Sequence, residues 1–114
     1  MPVVNLSKNT WLATTVLKAD SFTSRLVGLL RRSTIGPEEA LWLVPSKGIH
    51  TIGMKFTIDV IFLDRKSIVL DAIPGLAPHR ITGVHFRGHS VLELPKGTLH
   101  NSCTEIGDKL EISF

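Results

Sequence analysis

Thiol chemistry is nearly absent from this chain, because Cys103 is its single cysteine. No intramolecular disulfide can form, the cysteine pair of a structural zinc site is missing, and the usage fits a reducing compartment. Long apolar runs are absent as well. None reaches the ~18–20 residues that span a bilayer, and Met1-Pro2-Val3-Val4-Asn5 lacks the basic and apolar regions of a secretory signal peptide. The expected setting is cytoplasmic and soluble, with no membrane partner. Basic runs stop at the pair Arg31-Arg32, and the net charge of +3 comes from 13 basic and 10 acidic residues. That balance lacks the clustered basic face of a nucleic-acid binder. No phosphate-cradling glycine loop occurs, and Gly88-His89-Ser90-Val91 has no glycine where a nucleophile elbow needs one after Ser90.

What is present describes an ordinary globular domain. With 114 residues, 43% hydrophobic and 20% charged, the chain reads as one domain over 1–114 with a single core. Trp11 to Leu17 is aromatic and β-branched and reads as a strand, preceded by a short one at Val3 to Leu6. Asp20 or Ser21 caps a helix on which Phe22, Leu26, Leu29 and Leu30 form one apolar face; Ile35-Gly36-Pro37 stops it. Ala40 to Val44, Ile58 to Leu63, Ile68 to Ile73, His89 to Leu94 and Lys109 to Phe114 read as further strands. The second and third form a hairpin through Asp64-Arg65-Lys66-Ser67 that Pro74-Gly75 should end. Ser46 to Thr57 is irregular or a bulged strand, the stretch from Pro74-Gly75 to Gly88 is a loop with a weak strand near Ile81, and Lys96 to Cys103 holds a short helical turn. The fold expected is mainly β: a compact sandwich or distorted barrel of six to eight short strands with one helix against it.

The most informative stretch is Ile49-His50-Thr51-Ile52-Gly53-Met54-Lys55-Phe56-Thr57-Ile58-Asp59. It sets an imidazole, a thioether, an ammonium and a carboxylate just before an apolar strand, where buried polar groups must find partners or water. A second asymmetry follows: no acid lies between Asp71 and Glu93, while Arg80, Arg87, His79, His85 and His89 do. That segment carries positive potential, which rises as histidines protonate.

Several motifs in register resemble the domain-of-unknown-function 192 family. They are Arg25-Leu26-Val27-Gly28-Leu29-Leu30-Arg31-Arg32, Leu41 to Pro45, His50 to Asp59, Val91-Leu92-Glu93-Leu94-Pro95 with Gly97, and Gly107-Asp108. The resemblance runs from about Trp11 to the end and implies a compact, mostly β fold with one helix and no assigned activity. Many relatives place an aromatic residue before Trp-Met-Lys-Asn-Thr at the centre, so this chain marks a different branch. Many also carry an export signal, so an envelope role is not transferred here.

The leading functional reading is a binding or accessory domain with a polar pocket for a small anionic ligand. His50, Lys55, Asp59 and Glu93 would line it, with Arg25 and Arg80 near, because ammonium and guanidinium groups gain most from a carboxylate or phosphate. A hydrolase using His50 with Asp59 or Glu93 is the alternative, and a module pairing through a strand edge is another. Against these stands a structural salt link around Asp59. Met54 and the histidines lack metal-motif spacing, so neither metal nor cofactor is expected. The chain is expected to be a monomer or weak homodimer.

Overall fold

A computed structural model describes residues 2–19, 35–51 and 54–113 of the protein. The helix expected after Asp20, and Arg25 on it, lies outside the described residues. Among those described, eight strands make two open sheets: β1 (Val3–Asn5), β2 (Thr10–Ala13), β3 (Thr15–Ala19), β4 (Glu39–Leu43), β5 (Ile58–Leu63), β6 (Val69–Leu76), β7 (Ser90–Pro95) and β8 (Leu110–Ile112). The helical turn expected between Lys96 and Cys103 is α1 (Thr98–Ser102). One sheet has the order β2-β1-β8 and the other β3-β4-β7-β5-β6. All neighbours are antiparallel except β3 and β4. No helix among the described residues is long and apolar enough to cross a membrane.

The two faces of the larger sheet are both apolar, as β5 requires with all six of its residues buried. Ile61, Leu63, Leu92 and Leu94 pack with Val3, Leu12, Leu99 and Leu110 in a core shared with the smaller sheet. On the opposite face Leu41, Leu43, Ile58, Val60, Phe62 and Val91 pack with Met54, and Ile49 and Phe56 lie against them. Strand side chains alternate between faces, so the irregular segment around Met54 covers one side while the small sheet covers the other.

Two expectations are corrected. Trp11 to Leu17 is not one strand: it breaks at Thr14 and passes from the small sheet to the large one. The Thr14 and Thr15 N–H groups both donate to the Glu38 carbonyl, at 2.9 and 3.2 Å, which turns the chain. Nor do Pro74 and Gly75 end the hairpin, since β6 runs on to Leu76. β6 is an edge strand, where a proline breaks no inner ladder. Gly75 adopts φ +64°, and the register with β5 shifts between Ile58 and Val60, so the strand bulges at the glycine rather than stopping.

Candidate functional site

The register of β5 on β7 pairs Asp59 with Leu94 and Val60 with Glu93. Paired residues share a face, so Asp59 and Glu93 point to opposite sides of the sheet. The structure does not bring the two carboxylates together.

Asp59 is buried on the side facing the small sheet, and both its oxygens are engaged. Oδ1 accepts the Gly75 N–H at 2.9 Å, and Oδ2 accepts the Gly97 and Leu99 N–H groups at 3.1 and 2.8 Å. Gly75 and Gly97 both take positive φ, 64° and 97°, which aims their N–H groups inward at little steric cost. A carboxylate with three backbone donors is a structural clamp. The pairing of His50 with Asp59 gains no support from this geometry.

Glu93 is 4% exposed on the face covered by Met54, Ile49 and Phe56. No side chain or backbone group among the described residues bonds to it. Burial pushes its carboxyl from the ordinary 4.5 up to about 7, because the charged form loses water without gaining a partner.

His50, Lys55 and Arg80 are exposed and sit on two segments tied together backbone to backbone. Thr51 is the knot. Its N–H donates to the Arg80 carbonyl at 2.7 Å, its Oγ1 accepts the Arg80 N–H at 2.8 Å and donates to the Ala77 carbonyl at 2.7 Å. Its carbonyl accepts the His79 N–H at 2.9 Å. His50 and Ile81 form a single antiparallel bridge, which is what the weak strand near Ile81 amounts to. The Thr82 N–H donates to the Ile49 carbonyl, and the His85 N–H to the Lys47 carbonyl, each at 2.9 Å.

Together, residues 44–57 and 77–89 carry Lys47, Lys55, Arg80 and Arg87, four of the five histidines and no acid. With four of the 13 basic residues and none of the 10 acids there, the rest of the chain is net −1. The positive potential therefore belongs to one joined pair of segments.

Sequence reasoning missed the His85–Asp71 pair. His85 Nε2 lies 3.0 Å from Asp71 Oδ2, and the ring stacks on Phe62 with centroids 4.0 Å apart. Nδ1 is buried with no partner among the described residues. The hairpin register pairs Phe62 with Asp71, which sets both beside His85, and that register is seen only in the structure. No group of three or more metal-ligating side chains occurs among the described residues. Two hollows, of about 600 and 190 Å³, lie elsewhere, beside Leu99 with Ile106 and beside Trp11 with Pro37. Neither is lined by His50, Lys55, Arg80 or Glu93.

A family model, DUF192 (Uncharacterized ACR, COG1430), matches residues 3–112. The chain is similar to a UPF0127 protein of Pyrococcus horikoshii, 36% identical over 115 positions, covering 96% of each. A UPF0127 protein of Pyrococcus abyssi is 34% identical, covering 96% of this chain and 95% of that one. The crystal structure of a protein of unknown function from Novosphingobium aromaticivorans superposes with a TM-score of 0.84 at 20% identity, covering 98% of this chain and 84% of that chain. That likeness concerns the fold.

Proposed function

The chain belongs to the DUF192 family, and from that premise we propose that it is a non-enzymatic binding or accessory domain for a small anionic ligand. The joined segments 44–57 and 77–89 are its site. One observation carries the reading: these segments concentrate cationic and imidazole groups without a single acid of their own, on a backbone held rigid by Thr51 and Thr82. His50, Lys55 and Arg80 supply the exposed donors. Arg80 can bind a carboxylate or phosphate bidentately, and Lys55 adds a mobile point charge.

Glu93 contributes from below that surface. With its carboxyl at about 7, much of it is neutral at physiological pH, so it cancels less of the positive potential than an ordinary glutamate. Asp71 meets the segments at His85, whose Nε2 lies 3.0 Å from its Oδ2. Asp59 belongs to the other side of the sheet and plays no part in the site.

A thermal-shift series with inorganic phosphate and small carboxylates, at low salt and pH 6.5, tests this reading. Saturation at 100 times Kd raises stability by about 2.7 kcal/mol through linkage, and the triple change His50→Ala, Lys55→Ala, Arg80→Ala removes the rise. These side chains are exposed, so the variant retains the wild-type melting temperature without anion. Absence of any shift in the wild type, or an undiminished shift in the variant, refutes the site.

A further inference from the structure

We propose that residues 77–89 attach the protein to the surface of an anionic lipid bilayer, with Ile81, Val84 and Phe86 entering the interfacial layer and Arg80 and Arg87 at the level of the phosphates. The inference rests on the anion-site reading above and specifies what presents the anion.

Phe86 is 88% exposed, Ile81 74% and Val84 64%. Single exposed apolar side chains are ordinary, but here three fall within six residues of one segment, a density that marks interaction surfaces. The cause is local. His85, between Val84 and Phe86, is turned inward, stacked on Phe62, bonded to Asp71 and tied by its N–H to Lys47. Pinning the middle residue leaves both neighbours displayed to solvent on an anchored backbone, so no ordering of the chain is needed for them to insert.

Charge complementarity selects the partner. Arg80-Ile81 and Val84-His85-Phe86-Arg87 interleave cations with apolar groups, and no acid lies between Asp71 and Glu93. An anionic bilayer presents phosphates directly above an apolar layer, which meets both kinds of group at their own depth. A protein partner would need a shaped recess for each projecting side chain; the bilayer needs none. Surface attachment requires no spanning helix.

Sedimentation with phosphatidylcholine vesicles, with and without phosphatidylglycerol, tests the proposal at moderate salt. The wild type sediments with the anionic vesicles and stays in solution with the neutral ones. Each basic charge near such a surface is worth roughly fivefold in partitioning, so Arg80→Glu with Arg87→Glu lowers it more than about tenfold. Removing two apolar groups in Val84→Ser with Phe86→Ser lowers it about tenfold or more, with the melting temperature unchanged. A Phe86→Trp variant shows a blue-shifted emission with anionic vesicles beyond any change in the wild type. The proposal is overturned if the wild type does not sediment, if the serine variant sediments equally well, or if the segment binds an acidic protein but no vesicle. Free glycerol phosphate separates the two readings. A melting shift without vesicle binding ends this inference and spares the ligand site; vesicle binding without a shift does the reverse.

Discussion

Glu93 stands alone among the buried groups in carrying an acid with no partner in the described residues, and this makes the fold pH-sensitive in an unusual direction. The folded carboxyl titrates at about 7 against an ordinary 4.5. Between those values the folded state holds a proton that the unfolded state has released, so stability falls as pH rises through the window and levels off above it. The span corresponds to about 3 kcal/mol. Glu93→Gln keeps the shape and removes the charge, so its stability advantage over the wild type should be near zero at pH 4.5 and on the order of 3 kcal/mol at pH 8. Urea denaturation across that range measures the difference. A constant gap between the two proteins, or a wild type that gains on the variant as pH rises, would show that the side chain is solvated or paired.

Asp59 illustrates how a single side chain joins elements. Its carboxylate holds β5 to the bulge of β6 through Gly75 and to the start of α1 through Gly97 and Leu99. Asp59→Ala leaves these donors unmatched at a partly buried junction, a loss on the order of 3 kcal/mol, while Asp59→Asn keeps one acceptor oxygen and loses less. A denaturation midpoint for the alanine variant within about 0.5 kcal/mol of wild type would show that water replaces the clamp. Much at this scale was legible. Ile58 to Leu63 and its hairpin partner stood out because apolar β-branched runs are bounded by turn residues. The two-residue period of a strand is enough to set Glu93 on one face with Val91, and Asp59 with Ile61 and Leu63. What could not be read was which of those faces coincide, since β5 meets β7 across more than 25 residues of chain and one step of register exchanges the sides. The same non-locality hid the His85–Asp71 pair. The switch at Thr14 was illegible for another reason: its cause is the carbonyl of Glu38, a distant group that no property of Trp11 to Leu17 announces.

At the scale of the molecule, the two ends of the described chain meet in the small sheet. Val3 pairs with Ile112, and the Ser113 N–H donates to the Pro2 carbonyl at 3.0 Å. Buried Asn5 reinforces the junction, donating to Thr104 Oγ1 at 3.0 Å and Asp108 Oδ2 at 2.9 Å. Burial alone would raise the Asp108 carboxyl, but the bonds from Asn5, Lys8 and the Glu105 N–H outweigh it and hold the group below its ordinary value. Joining residues 2 and 113 by a short linker and reopening the chain between exposed Arg65 and Lys66 should therefore yield a folded permutant. Its circular dichroism and cooperative melting check this; a permutant without a cooperative transition would mean that the β5–β6 turn is indispensable.

The division of charge between the joined segments and the remainder has a kinetic consequence. Cationic segments on a chain otherwise net −1 draw a negative target toward themselves, so encounters favour Arg80 and Arg87. Encounter rates would then fall steeply as added electrolyte shortens the reach of that field, even where the final grip depends on Phe86.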